Sequence, residues 1–307
     1  MKISTKLKLI QKISNLTQTE LAQKLKVTFA AFNRWINEQS VPRTKTLEKI
    51  NELYREYTGQ KEIPESVFQV KKNILFQKSK SFNILKIILK NPDIRDQFLL
   101  ALTYHSNGIE GSTLSENETA AILFNNASLS NKSLTEQLEA KNHQTALEYL
   151  FKHLTEKKLI NEKLILKLHS ILMNAIHSDA GLYRNHGVRI VGTYVPTANW
   201  QKIPSLMKEL IKKINSTKND IISHASFIHA QFEQIHPFAD GNGRIGRLLI
   251  QAMLLKNNLS PAIILQKNKQ LYNLYLNKAQ LNSDISLLED FICEAIFEGY
   301  KIVERKN

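Results

Sequence analysis

The chain is poor in cysteine, proline, glycine and acidic residues, and each scarcity excludes something. Cys293 is the single cysteine in 307 residues. That excludes a disulfide framework and any cysteine-based zinc site, and suits a reducing, cytoplasmic setting. Long apolar runs are missing: the stretch 248–255 is short and broken by Gln251, far from the roughly 20 residues that span a bilayer. Lys2, Lys6, Lys8 and Lys12 interrupt the N-terminus, so no signal-peptide core and no membrane partner are expected. Seven prolines are present, none between Pro92 and Pro196, which leaves a long central region without the strongest helix breaker. Asp and Glu number 28 against 42 Lys and Arg, a net charge of +14. Residues 1–80 hold 16 of the basic and 7 of the acidic residues, and so +9 of that charge. Such a segment suits a polyanion-binding module or a solvated, self-repelling face.

What is present points to two mainly helical domains. The length suits two domains, and a hydrophobic fraction of 42% is normal for a packed globular chain. Apolar residues recur at helical spacing, as in Phe98, Leu99, Leu102 and in Leu147, Leu150, Phe151, Leu154. Eight of the ten glycines fall in three short stretches, at 108–111, 181–192 and 241–246. Glycine is needed where the backbone turns with positive φ or approaches a ligand closely, so these stretches are candidate functional loops. The expected fold class is all-α, with an N-terminal helical module and a larger helical domain.

Residues 5–57 predict four or five short helices. Thr17-Gln-Thr-Glu20 has the form of a capping box. A helix over 18–25 would bury Leu21, Ala22 and Leu25. After a tight turn at Lys26-Val27, Thr28 would cap a second helix to about Glu38 that buries Phe32, Trp35 and Ile36. This is helix-turn-helix spacing. The string from Leu16 to Leu25, with Phe32-Asn-Arg-Trp35 and Val41-Pro-Arg43, resembles the Cro/repressor-type helix-turn-helix family. The resemblance implies double-stranded DNA as a partner, with Thr28, Phe29, Ala30, Asn33 and Arg34 facing the major groove. Lys26 stands where that family usually has a turn glycine. A docking module of the same fold is the alternative.

The strongest signal is His236-Pro-Phe-Ala-Asp-Gly-Asn-Gly-Arg-Ile-Gly-Arg247. A helix over 223–235 would stop at Pro237, and another would run over 244–256. The loop between them then ends at a helix N-terminus. Free N–H groups at Gly241, Asn242 and Gly243 would form a nest for an anion. Arg244 and Arg247, three apart, would share a helix face and reach phosphates. Asp240 is a hard oxygen ligand suited to Mg²⁺ carried with polyphosphate. His236 at the mouth can act as a general base near neutral pH. A zinc hydrolase is not expected, because His224 and His229 are five apart and no His-Glu-x-x-His occurs.

The twelve-residue string matches the Fic-domain signature His-x-Phe-x-(Asp/Glu)-Gly-Asn-Gly-Arg-x-x-Arg at every fixed position, and the chain resembles that family over roughly residues 95–295. The resemblance implies nucleotidyl transfer, usually of AMP from ATP to a Tyr, Ser or Thr hydroxyl of a target protein. It assigns His236 as base, Phe238 as an anchor in the core and Asp240 to Mg²⁺. Gly241, Asn242 and Gly243 become the anion hole, Arg244 the phosphate-chain ligand and Arg247 the γ-phosphate ligand.

Two further segments agree. Residues 187–197 alternate β-branched residues around Gly192-Thr193 and read as a hairpin. It resembles the Fic flap, with Val188, Ile190, Gly192 and Tyr194 aligning the target segment. Ser106-Asn-Gly-Ile-Glu-Gly111 resembles the family's inhibitory motif (Ser/Thr)-x-x-x-Glu-(Gly/Asn), which implies that Ser106, Glu110 and Gly111 form an inhibitory element with Glu110 paired to Arg247. The expected domains are 1–60 (helix-turn-helix), a connector 61–92, and 93–307, with the inhibitory helix at 93–111, the flap at 187–197 and the catalytic loop at 236–247. The reading leaves room for a homodimer. Two alternatives stay open: removal of AMP by the same site, and a nucleotide-sensing transcriptional regulator.

Overall fold

The computed structural model describes residues 3–14, 16–58, 65–156, 158–190, 195–216, 219–282 and 284–305. The chain divides into two compact units, Met1–Pro64 and Glu65–Asn307.

The first unit holds α1 (Ile3–Ser14), α2 (Gln18–Lys24), α3 (Phe29–Ile36) and α4 (Thr44–Thr58). Thr17 and Glu20 make the reciprocal capping box that starts α2, and the Thr28 side chain accepts from Ala31 N to start α3. Between them Lys26 has φ 58°. The turn therefore does use the left-handed conformation that a glycine would relieve, and a lysine adopts it here. Leu21, Ala22, Leu25, Phe32, Trp35 and Ile36 are buried against Leu7, Ile10, Ile50, Leu53 and Tyr54 of α1 and α4. One contiguous core thus holds α2 and α3 in the helix-turn-helix arrangement, and leaves Thr28, Phe29, Ala30 and Arg34 exposed on the outer side of α3. Asn33 is half-buried and bonded to Gln18 and Asn37.

The second unit holds α5 (Glu65–Ser81), α6 (Ile84–Lys90), α7 (Pro92–Glu110), α8 (Glu116–Asn125), α9 (Leu134–Thr155), α10 (Glu162–Leu172), α11 (Ile203–Ile214), α12 (Ile221–Ile235), α13 (Asn242–Lys256), α14 (Lys269–Asn282) and α15 (Ser286–Val303). No strand forms among the described residues. Residues 65–90, read from sequence within a connector, form α5 and α6. Lys71 and Lys72 tie α5 to α15 through Asp290 and Glu289, and to the start of α12 through Asp220. The centre of the unit is α13, buried on all sides among α7, α9, α10 and α12. A helix enclosed in this way has almost no solvent face, so its polar residues must look for partners inside the protein. Its N-terminus is the end of the sequence-identified loop.

No helix of the described residues is long and apolar enough to cross a membrane.

Candidate active site

Local signals set the frame. Asn91 caps α7, Pro92 takes its first position, and Gly111 with φ 110° ends it directly after Glu110. Asp220 caps α12 through bonds to Ile222 N and Ser223 N, and His236, in the left-handed region with φ 52°, terminates it ahead of Pro237. Gly241, at φ 77°, turns the chain into α13 without any side-chain cap. The first-turn N–H groups of α13 therefore have no capping side chain, and Asn242 and Gly243 line the cavity; Gly241 N, expected to be free, instead donates to Asp240 Oδ1 at 2.6 Å.

The loop between these helices is stapled from within. The Asn242 side chain accepts from Phe238 N and donates to Phe238 O, both at 2.9 Å. Phe238 is fully buried, stacked on the His169 ring at 3.8 Å between centroids. His169 Nε2 donates to Asp240 O and its Nδ1 accepts from Gly181 N. Arg184 donates to the backbone oxygens of His236, His186 and Ala198 at 2.6–2.7 Å, joining the flanks of the expected flap to the loop that follows α12.

His236 presents one free nitrogen. Its Nδ1 lies 3.2 Å from Glu233 O. A carbonyl only accepts, so Nδ1 carries the proton and the neutral ring keeps its lone pair on Nε2. Burial holds the His236 pKa below the ordinary 6.5, despite the Glu233 bond. The ring is thus a base at neutral pH.

The two arginines diverge, contrary to the shared face expected from their spacing. Arg247 turns towards α7: its Nε donates to Ser106 Oγ at 2.9 Å, and its Nη2 to Ser106 O at 3.0 Å and Glu110 Oε1 at 2.5 Å. Arg244 is buried and turns to Glu139 on α9 at 2.7 Å, with Asp240 Oδ2 at 3.6 Å. The packing of α13 between α7 and α9 separates them. Burial opposes the Glu110 charge, but Arg247 outweighs it and holds the carboxyl below its ordinary range. A β-carbon added to Gly243 would collide with the Glu110 carboxylate, so α7 and the start of α13 meet through this glycine.

A cavity of about 560 Å³ opens over these groups. Its floor includes Asp240, Gly241, Asn242, Gly243, Arg247 and His236, and Glu110 forms part of its wall. Ile190 and Arg189 line it from the flap side, and the side of α14 carrying Lys269, Tyr272 and Asn273 lines it opposite. Val188 O accepts from Thr197 Oγ1 at 2.8 Å across the base of the expected hairpin. The flanks 187–190 and 195–197 have no strand, and Gly192 and Tyr194 lie outside the described residues.

Several site residues were not singled out from the sequence. Glu233, buried beside Gly246 and His229, has its pKa pushed up to about 8 by burial, which favours its protonated form. His229 Nε2 bonds the Tyr272 hydroxyl at 2.6 Å, and burial pushes its pKa down to about 3. Glu139, His169 and Arg184 act on the loop from α9, α10 and the pre-flap turn. The one signal that could have marked them is polarity at positions where helical spacing demands an apolar residue.

Residues 159–254 match the Fic/DOC family and residues 9–58 match the Helix-turn-helix family. Protein adenylyltransferase Fic of Drosophila persimilis is 31% identical over 195 residues, 62% of this chain and 38% of that protein. The Drosophila melanogaster protein of the same name is 31% identical over 195 residues, 62% and 39%. The chain thus spans less than two fifths of the length of these relatives. Fic-1 from C. elegans shares the fold with a TM-score of 0.71 at 22% identity, covering 97% of this chain and 91% of that one. A Fic domain containing signaling protein from Bacteroides thetaiotaomicron does so at 0.64 and 24%, covering 77% and 99%.

Proposed function

We propose that this chain, which carries a Fic/DOC domain behind a helix-turn-helix domain, is a self-inhibited protein adenylyltransferase with a DNA-binding module. The observation that carries the reading is the Glu110 carboxylate on Arg247, at 2.5 Å, beside an uncapped helix N-terminus and a histidine with a free Nε2.

In the transfer step, the oxygen of a target Tyr, Ser or Thr hydroxyl attacks the α-phosphorus of ATP. His236 Nε2 takes its proton, the bond to the bridging oxygen of the β-phosphate breaks, and pyrophosphate leaves with AMP joined to the target. The N–H groups at the start of α13 hold the phosphate oxygens. Arg247 binds the terminal phosphate once Glu110 withdraws. Arg244, committed to Glu139, contributes its positive field from beneath the loop. The donor set also fits Mg²⁺: Asp240 is an exposed hard carboxylate at the cavity, as suits an ion that takes most of its ligands from phosphate and water. Bound there, Mg²⁺ would neutralise charge on the polyphosphate.

Inhibition is electrostatic. Glu110 consumes a donor of Arg247 and sets a negative charge where the terminal phosphate belongs, so bound ATP is turned out of line. Because Glu110 is charged and part of the cavity wall, it could instead orient a water for removal of AMP from a modified protein. Exposed Thr28, Phe29, Ala30 and Arg34 on α3, with the basic N-terminal region, support double-stranded DNA as the second partner.

Incubation of wild type and Glu110→Gly with radiolabelled ATP, CTP, GTP and UTP tests the reading. Label transferred from one nucleotide, and more by Glu110→Gly, is the expected result. No transfer by either protein would overturn it. Loss of AMP release together with gain of transfer in Glu110→Gly would put the removal reaction ahead.

A further inference from the structure

Three positive side chains line the cavity: Arg189, Arg247 and Lys269. Arg247 is committed to Ser106 and Glu110. Lys269 is half-buried, and its ammonium forms no ion pair or hydrogen bond among the described residues. It also opens α14, whose first turn carries no acidic residue. The acidic group that feels its charge is Glu110, whose carboxylate is already bonded to Arg247, and the positive end of a helix dipole favours a further anion.

Packing sets Lys269 close to the last turn of α7. A β-carbon on Gly108 would collide with the Gln266 side chain. The last turn of α7 is therefore seated directly on the 3-10 turn Gln266–Asn268, which runs into Lys269. Glu110 and Lys269 thus come from two segments that meet, and the field of Lys269 helps to hold Glu110 charged.

We propose that Lys269 is a second polyphosphate ligand, and the one that holds the outer phosphates of the nucleotide while Glu110 occupies Arg247. The inference rests on the cavity being the nucleotide site and adds the residue that retains nucleotide in the inhibited state. With Arg247 engaged and Arg189 exposed on the flap side, the outer phosphates turn to Lys269 on the α14 side, away from the line of attack from His236. When Glu110 withdraws, Arg247 takes the terminal phosphate and Lys269 matters less.

Calorimetric titration of the full chain with ATP and with AMP, both in Mg²⁺, tests this. The proteins are wild type, Lys269→Ala, Lys269→Arg, Glu110→Gly and the Glu110→Gly/Lys269→Ala double variant. Lys269→Ala should weaken ATP binding about tenfold, the loss of one charged hydrogen bond, and leave AMP binding unchanged. Lys269→Arg should retain ATP binding. In the Glu110→Gly background the loss should shrink to about threefold or less, because Arg247 substitutes. Unchanged ATP affinity in Lys269→Ala would overturn the assignment. So would an equal loss for AMP, a Lys269→Arg protein that binds like the alanine variant, or ATP binding seen in Glu110→Gly alone. ATP bound by none of the proteins would overturn the nucleotide-site reading as well.

Discussion

Replacing Glu110 by glycine removes the carboxylate 2.5 Å from Arg247 Nη2 and leaves both Ser106 contacts of the guanidinium in place. Arg247 should stay near its position with a donor freed. A charged hydrogen bond contributes about 1.5–3 kcal/mol. The Glu110 side chain is 38% exposed, so solvent screening sets this pair near the lower end, about 1.5 kcal/mol. That corresponds to about tenfold in the step that needs the freed guanidinium. A second effect is positional. The carboxylate abuts Gly243, where the outer phosphates of a bound nucleotide would approach the helix N-terminus, and small misplacement of a reacting group can cost about 100-fold. Transfer should therefore rise between about tenfold and about a thousandfold, with ATP affinity changing far less. The assay is incorporation of label from α-phosphate-labelled ATP into a protein acceptor, paired with calorimetric ATP binding. Glu110→Ala, which keeps helix propensity at the last residue of α7, should behave alike. Arg247→Ala should cancel the activation, since both changes act on one contact. Transfer no faster than wild type, with ATP bound equally well, would refute the self-inhibition argument and leave 106–111 as a plain helix end.

His236→Ala should lower transfer about 10²–10⁴-fold with ATP affinity nearly intact. Because burial lowers the His236 pKa, the acid limb of the wild-type rate profile should lie below 6.5; equal losses of affinity and rate would mark the ring as a nucleotide ligand. Glu233 titrates at about 8 in the fold against an ordinary 4.5, so between those values the unfolded chain releases a proton that the folded chain keeps. Its stabilising contribution is complete below the lower value and lost as pH rises through the higher one. Melting curves of Glu233→Gln against wild type should diverge in favour of the variant from about pH 5 to about pH 8 and then run parallel; a constant difference would contradict the buried, protonated acid. The full chain should bind duplex DNA with affinity falling steeply in salt, and Arg34→Ala should reduce the salt slope by about one; an unaltered slope would remove Arg34 from the interface.

The polar pattern and the breakers were enough to find the helix-turn-helix and the loop between α12 and α13. Thr17 with Glu20, Thr28, Asn91-Pro92 and Pro237 act within one or two turns of themselves, so their effects are legible in order along the chain. The loop was legible for the same reason: histidine, carboxylate, glycines and arginines lie within twelve residues. Direction was not legible. Spacing put Arg244 and Arg247 on one face, yet α7 draws Arg247 to Ser106, 141 residues away, and α9 draws Arg244 to Glu139, 105 residues away. Glu233 and His169 looked like ordinary helix positions, because what makes them unusual is a dry contact made elsewhere: Gly246 on α13 for Glu233, and Phe238 and Asp240 in the loop for His169. Lys269 sits in a stretch with no motif at all, and gains its place from the meeting of Gly108 with Gln266. A helix face follows from periodicity within one segment. Which charge that face meets depends on how distant helices close around α13, and burial there removes the water that would otherwise make the choice of partner unimportant.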